Sequence, residues 1–392
     1  MAKRILVNGA GRGCLNLTKT AKDMGLYVVV TGMDGPCISL ADKAYRNVHP
    51  GHPEEVLDVA KAEKVDAVVT CCNDMGLESV AYCCEQLHLT GLSYDSAKAC
   101  QNKYLMKELL VKHDVRTARF FLVHNQEELV SAANKLSLPV IIKATDLQGS
   151  RGISIVRDRT ILQRSFDDVM SMTHKDYCIV EEYIEGTEFG AQAFVYHGEV
   201  LFVLPHGDET VMCQTAVPVG HYMPYEMNDS LSEDVQAQAR KAIKAIGLDN
   251  CAVNIDFIER DNKAYIIELT GRGGANGLTD ITGLYLGINY YQMIIQMALG
   301  TDPRNYYNNR FDKPHAALSR MLKSSYSGVL KSLSVPPAYS NNVSFFIKEG
   351  DYIHSFTNCN DALGEVIIGG EDLLLCQKFY NQLINSIVLH IE

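Results

Sequence analysis

The sequence predicts an α/β and α+β chain: a doubly wound parallel sheet comes first, a larger mixed region follows, and a further mixed subdomain closes the C-terminal end. Three observations carry that expectation. Residues 4–7 (RILV) form an apolar strand pattern, glycines at 9, 11 and 13 make a turn, a helical pattern runs through Lys22, and residues 27–31 (YVVVT) read as a second strand. Between residues 251 and 270 the apolar spacing switches to period two, broken by one polar turn, as an antiparallel hairpin requires. Beyond about residue 310, short strands and glycine turns alternate before a last helix.

In the first region, a strand at 67–70 (AVVT) and a helix after Asn73 and Asp74 continue the alternation to about residue 95. Residues 1–100 are therefore expected to form one open parallel sheet. The glycine turn lets a ligand approach the backbone at a helix N-terminus, a place suited to anions. As a dinucleotide fingerprint it is weak, because GxGxG departs from GxGxxG and no acidic residue ends the second strand. Part of a substrate pocket at the C-terminal edge of the sheet is the better reading.

Composition bounds the partners. With 392 residues, the chain is long enough for two or three domains, and 47% hydrophobic with 21% charged residues is ordinary globular usage. A net charge of -11 with no long basic run argues against nucleic-acid and anionic-membrane partners, so an anionic ligand must be held by local basic residues. No apolar run approaches the roughly 18 residues of a spanning helix, and residues 1–4 lead directly into a strand rather than a signal peptide. A cytoplasmic protein is expected. The 12 cysteines include adjacent pairs, no CxxC and no zinc spacing, and are read as reduced, mostly buried thiols.

Further along, Asn102 precedes a helix opening at Lys103, and residues 138–156 (LPVIIKATDLQGSRGISIV) follow. An apolar strand there ends in Lys143, a loop carries Gly149, Ser150, Arg151 and Gly152, and a second strand returns. The loop amides can wrap phosphates above the fixed charge of Lys143, although an ordinary mobile hairpin has the same pattern. Residues 178–188 (CIVEEYIEGTE) give a strand, the acids Glu181 and Glu182, the apolar pair Tyr183 and Ile184, then Gly186 and Glu188. Extended backbone beside apolar side chains can read an adenine edge, and Glu188 can accept ribose hydroxyls. Taken alone, a charged surface strand is the plainer reading.

The hairpin at 251–270 is the centre of the expected chemistry. Val253, Ile255 and Phe257 fall on one face of its first strand, Asn254 and Asp256 on the other. In its second strand Tyr265, Ile267 and Leu269 are expected on one face and Ile266, Glu268 and Thr270 on the opposite one. A turn near Asn262 sets Asp256 directly across from Glu268. Facing carboxylates repel unless a cation lies between them, and two oxygen ligands on rigid strands suit Mg²⁺ that also holds phosphates. Water on that face is the alternative. Arg272 follows at once, and a guanidinium there can grip a carboxylate or stabilise a transferring phosphoryl group.

In this order, LPVIIKA with its glycine loop ending in RG, VEEYIEG, and IIELTGR after NIDFI resemble the ATP-grasp superfamily, of the carboxylate-amine ligase type with a biotin carboxylase-like layout. The resemblance covers nearly the whole chain. It implies a pre-ATP-grasp domain at 1–100, an ATP-grasp domain at 101–309 with a small lobe near 115–180 and a large lobe near 181–309, and a C-terminal subdomain at 310–392. It also implies ATP as cofactor, with Lys103 and Lys143 on the phosphates together with the loop of Gly149, Ser150 and Gly152. Glu181, Glu182, Tyr183 and Ile184 would form the adenine-reading segment and Glu188 the ribose ligand. Asp256 and Glu268 would hold Mg²⁺ or Mn²⁺, and Arg272 would stabilise the acyl phosphate. The family pattern has Asn two residues after the second metal carboxylate, where Thr270 stands; Asn254, facing it, is the alternative third ligand.

Residues 217–225 (VPVGHYMPY) and an amphipathic helix at 232–245 resemble the run into the large lobe, with His221 either a substrate contact or, more plainly, structural. The function implied is a ligase that activates a small-molecule carboxylate, an amino acid or related acid, as an acyl phosphate and joins it to an amine, giving ADP and phosphate. A carboxylase-like enzyme acting on bicarbonate is the rival in chemistry, weakened by Asn276 where the biotin carboxylase pattern carries Glu. A nucleotide-binding protein without catalysis is the rival in class. The resemblance further implies a possible homodimer.

Overall fold

The computed structural model describes residues 2–149, 151–213, 216–307 and 316–392. It divides into two compact units, the first made of Met1–Val203, Met227–Gly273 and Ile294–Asp302, the second of Leu204–Glu226, Gly274–Met293 and Pro303–Glu392.

The first unit holds three groups of strands. β1 (Arg4–Asn8), β2 (Tyr27–Thr31), β3 (Lys43–Tyr45) and β4 (Ala67–Val69) form a parallel sheet in the order β3-β2-β1-β4. Ile5, Leu6 and Val7 are all fully buried, so β1 is covered on both faces, as a parallel sheet with crossover helices demands. Helices Leu15–Asp23 and Pro53–Glu63 provide the β1–β2 and β3–β4 crossovers, and Leu77–Gln86 follows β4. The glycine turn after β1 is sterically enforced at Gly13, where a Cβ would lie 2.7 Å from that of Cys72. At Gly11 a Cβ would meet nothing within 4 Å, so packing alone does not require glycine there.

A second sheet is antiparallel: β5 (Phe120–Val123), β6 (Val140–Lys143), β7 (Ile153–Val156) and β8 (Cys178–Glu182), in the order β5-β8-β6-β7. Helices Gln126–Leu136 and Leu162–Met172 bury Leu129, Ala133, Phe166 and Val169 against it. The third group is β9 (Thr187–Tyr196) paired with β12 (Cys251–Arg260), itself paired with β13 (Lys263–Thr270). Helix Asp229–Ile246 begins at an Asn228 cap and ends at Gly247, whose φ of +75° is the left-handed stop favoured by glycine.

β10 (Glu199–Met212) passes from the first unit into the second. Within the second unit its end pairs with β11 (Ala216–Met223), β11 with β14 (Ala316–Leu322) and β14 with β18 (Gly364–Gly370), all antiparallel. β16 (Val343–Phe345) adds to β18, while β15 (Gly328–Ser334) carries β17 (Tyr352–Ile353) on one side and β19 (Val388–Ile391) on the other. Leu318, Leu330, Val366 and Leu383 form the core of this unit. All 12 cysteines are free thiols, and no helix of the described residues is long and apolar enough to cross a membrane.

Candidate functional site

The hairpin β12–β13 turns at Asp261 and Asn262, with φ of +54° and +58°, the two-residue turn that suits the twist of paired strands. Arg260 pairs with Lys263, Phe257 with Ile266, and then the register shifts, so that Asp256 lies opposite Glu268 and Asn254 opposite Thr270. The expected facing of the two carboxylates is present. The expected split of β13 into two clean faces is not: Ile267 has no partner in the register, and Ile266 and Leu269 are both buried against the β12 face of Phe257 and Ile255. Ile267 packs instead with Tyr265 and Ile184. The bulge thus returns Glu268 to the face of Asp256, which a tight turn without it would have missed by one residue.

β9 completes that face. Ile258 pairs with Glu188, Asp256 with Gly190 and Asn254 with Gln192, so Glu188, Gln192, Asn254, Asp256, Glu268 and Thr270 all project from one side of three strands. Asn254 accepts a short hydrogen bond from Gln192 on its carbonyl oxygen and gives its amide to Asp256 at 3.1 Å. Its amide orients Asp256, while its oxygen, with one of two lone pairs used, keeps the acceptor capacity of an alternative third ligand beside Thr270. Two carboxylates and the Thr270 hydroxyl are hard oxygen donors, a set that fits Mg²⁺ or Mn²⁺.

Lys103 is the first residue of helix Lys103–Lys112, capped by Asn102. Its ammonium donates to the Leu147 carbonyl at 2.8 Å and lies 3.3 Å from Glu268. Lys143, at the end of β6, is 2.9 Å from Glu181 on β8. A second lysine unforeseen in the sequence reading, Lys107, approaches the same carboxylate at 3.3 Å and donates to Thr117 at 2.8 Å. All three members of this group are buried, Lys107 and Glu181 at 1% exposure. Burial alone would raise the Glu181 pKa, but the two ammonium groups overcome it and hold the carboxyl below its ordinary range. Burial, with the like charge of Lys143, lowers Lys107, whereas for Lys143 the carboxylates outweigh burial and raise it. One carboxylate under two ammonium groups leaves a buried excess of positive charge, which suits phosphate.

Glu182 is engaged by Arg119 at 2.8 Å and Arg260 at 3.0 Å. The N–H groups of Glu182 and Tyr183 donate to the Arg119 and Pro139 carbonyls. Arg157 lies over the Tyr183 ring at 4.9 Å, and Ile184 is buried among Ala118, Ile258, Tyr265 and Ile267. Glu188 is exposed.

The loop after β6 is more firmly anchored at its start than a run of small residues suggests. Leu147 packs on the core of the antiparallel sheet, and the Asp146 carboxylate accepts from Thr173 at 2.5 Å and the His174 amide at 2.9 Å. Gly149 and Gly152 have φ of +65° and +64°. Ser150 lies outside the described residues.

Arg272 meets a residue that sequence reasoning did not single out for chemistry. Asp74, at the end of the β4 turn, accepts from Arg272 Nε at 2.8 Å and Nη2 at 2.7 Å, and from the Thr270 hydroxyl at 3.0 Å. Burial would raise the Asp74 pKa, but the Arg272 guanidinium, with Thr270 and Lys103, holds it below the ordinary aspartate range. The signal available was position, an acid just past the C-terminal end of a parallel strand, where ligands gather in such sheets. Asp74, Gln101, Lys103, Gln148, Glu268 and Arg272 enclose a cavity of about 30 Å³. A larger one of about 350 Å³ lies at the C-terminal edge of the parallel sheet, lined by Gly9, Gly11, Cys14, His49 and Asn73 among others.

In the second unit, His221 is not alone. Its Nδ1 lies 2.5 Å from Asp208 Oδ1, and His206 Nδ1 shares the same oxygen at 2.9 Å. Burial lowers the His221 pKa more than Asp208 raises it. The two buried imidazoles bonded to one half-buried carboxylate favour the structural reading.

These features are those of the ATP-grasp fold, and comparison with known proteins agrees. Residues 101–215 match the family model described as phosphoribosylglycinamide synthetase, ATP-grasp (A) domain. The crystal structure of phosphoribosylglycinamide synthetase from Anaerococcus prevotii is 43% identical, covers 100% of both chains and superposes with a TM-score of 0.87. The chain belongs to the ATP-grasp family of carboxylate-amine ligases. The L-amino acid ligase from Bacillus licheniformis shares the fold, with a TM-score of 0.83 at 19% identity over 100% of this chain and 99% of that one. The carbamoyl phosphate synthase large chain, C-terminal section, of Aquifex aeolicus is 20% identical over 80% of this chain. The chain spans 61% of the length of that relative and 27% of the large chain from Clostridium acetobutylicum.

Proposed function

We propose that this chain uses ATP to phosphorylate a small-molecule carboxylate and joins the acyl group to an amine. A carboxylate oxygen attacks the γ-phosphorus and ADP leaves; the amine nitrogen then attacks the acyl carbon, phosphate leaves with its electron pair, and the nitrogen loses a proton. The observation that carries this reading is the grouping of Lys103, Asp256, Glu268, Thr270 and Arg272 at one corner, in a family of ligases. The scheme asks none of these groups to act as a covalent nucleophile. Catalysis is positioning and charge neutralisation, which lysines, carboxylates and an arginine can supply.

In this scheme Lys103 and Lys143, with the loop of Gly149, Ser150 and Gly152, hold the ATP phosphates. Lys107 and Glu181 fix the place and charge of Lys143. The segment of Glu181, Glu182, Tyr183 and Ile184 reads adenine through its main chain, and Glu188 accepts ribose hydroxyls. Asp256, Glu268 and Thr270 would hold Mg²⁺, or Mn²⁺, which when bound neutralises charge on the phosphates. Arg272 stabilises the charge of the acyl phosphate. The cavity at the edge of the parallel sheet takes part of a substrate.

The name of the 43%-identical relative points to a glycinamide product, which supports an amino acid or a related small acid as the carboxylate. The contiguous division at residues 100/101 and at 309/310, the latter outside the described residues, a cytoplasmic setting and a homodimer belong to the same proposal. The test is ADP release from Mg-ATP across a panel of amino acids, other small acids and bicarbonate, with and without amines. Release that requires one acid and one amine together is expected. No acid-dependent release across the panel would sink the reading, and release with bicarbonate alone would replace it with the carboxylase one.

A further inference from the structure

We infer that Asp74 is a positioning residue of the acyl-phosphate site: it holds Arg272 by one side of the guanidinium so that only its far end can meet the reacting group. The inference rests on the ligase reading and deepens it. A guanidinium carries five N–H groups arranged as a side fork, from Nε and one Nη, and an end fork, from both Nη. Asp74 takes the side fork, through Nε at 2.8 Å and Nη2 at 2.7 Å, and the Gly273 carbonyl takes one N–H of Nη1 at 3.0 Å. What is left is one N–H on each Nη, that of Nη2 belonging to the end fork.

A freely rotating arginine would present either fork, and a substrate carboxylate would compete for both. With Asp74 in place the side fork is closed to substrate, and the end fork is fixed in direction before any ligand arrives. Pre-set donors cost no reorganisation when charge develops on the acyl phosphate. Arg272 and Asp74 are both largely buried, with side chains 11% and 19% exposed, so the pair is shielded from water that would loosen it. Asp74 is itself fixed from two sides. Thr270, on the metal face, donates to its carboxylate at 3.0 Å, and Gln101 donates to its main-chain oxygen at 2.6 Å. Gln101 in turn accepts from Gln148 of the glycine loop at 2.7 Å. The aim of Arg272 is thereby set by the metal strand and the phosphate loop together.

The experiment replaces Asp74 by Asn and by Glu in the full chain. Asp74→Asn removes the charge and presents an amide donor to the guanidinium; Asp74→Glu keeps the charge but moves it by one methylene. Four readouts are taken: kcat, KM for ATP, ADP released per amide formed, and the Arg272 Nε–H resonance in ¹H–¹⁵N spectra, identified by its disappearance in Arg272→Lys. In the native chain that Nε–H should exchange slowly. Asp74→Asn should lower kcat roughly 10- to 100-fold, leave KM for ATP within threefold, raise ADP per amide above one, and lose the protected resonance. Native kcat and native ADP per amide in Asp74→Asn would overturn the inference. If that variant fails to fold, Asp74→Glu decides: a lowered kcat with raised ADP per amide supports the inference and native values overturn it. A native chain with no turnover on any acid–amine pair, but with a protected Nε–H that Asp74→Asn releases, would mean that the ligase reading has failed while the clamp stands. An unprotected native Nε–H overturns the clamp whatever the activity.

Discussion

Asp256 and Glu268 face each other from adjacent strands, and Glu268 has one ammonium, Lys103, at 3.3 Å. Removing the charge of Glu268 while keeping its shape should weaken phosphate clamping in the transition state more than it weakens ground-state binding. Glu268→Gln is therefore expected to lose roughly 10² or more in kcat, and turnover within threefold of native would remove Glu268 from the metal site. Asp74 gives a pH prediction. Its pKa is lower in the folded chain than in the unfolded one, so the unfolded state binds its proton first as pH falls. The stability it contributes is full above the ordinary aspartate range and is lost as pH drops through the folded value. Thermal midpoints measured from pH 7 down to pH 3 should fall less steeply for Asp74→Asn than for native protein; equal slopes would contradict the pairing. At this scale the sequence made Asp256, Glu268 and Arg272 visible, because strand alternation and a polar turn fix them locally. Asp74 stayed hidden because its partner lies 198 residues away. Lys107 was within reach, being four residues after Lys103 and so on the same helix face.

The hairpin shows how an element can be read correctly for an incomplete reason. A turn centred on Asn262 would pair Asp256 with Glu268 directly, but the turn is the two-residue Asp261–Asn262, and the pairing is recovered by the bulge at Ile267. Bulges leave no mark in alternation over so few residues, since Ile266 and Ile267 are equally apolar. The glycine loop carries the prediction for elements. Its start is pinned by Leu147 and Asp146 and its end by the Gly152 carbonyl on the Ala144 amide at 2.8 Å, so any closing movement on Mg-ATP belongs to the part around Gly149. Hydrogen exchange across residues 146–153 should show added protection there when Mg-ATP binds, and unchanged protection would mean that this loop is not the phosphate lid. Gly149 has φ of +65°, which a β-branched side chain tolerates poorly. Gly149→Val is expected to lower amide formed per ATP consumed while changing nucleotide affinity by less than about tenfold. Loss of nucleotide binding with coupling intact would contradict this.

Across the molecule, the order of motifs carried the family: Lys103, the Lys143 strand and its loop, the strand ending in Glu181 and Glu182, then the carboxylate hairpin with Arg272. What a linear reading could not convey is how the compact units draw on the chain. The second unit gathers three separate segments, because β11 pairs with β14 across nearly a hundred residues of sequence. Nucleotide choice is a property of the assembled site, and main-chain recognition of adenine near Tyr183 and Ile184 predicts ATP bound at least about tenfold more tightly than GTP by calorimetry. Equal affinities would contradict that assignment. The central claim is that an acyl phosphate forms, and oxygen transfer tests it most directly. With the accepted acid labelled with ¹⁸O in both carboxylate oxygens, each phosphate released should carry one ¹⁸O atom, measured by mass spectrometry. Phosphate free of ¹⁸O, alongside amide product, would show that the carboxylate is never phosphorylated.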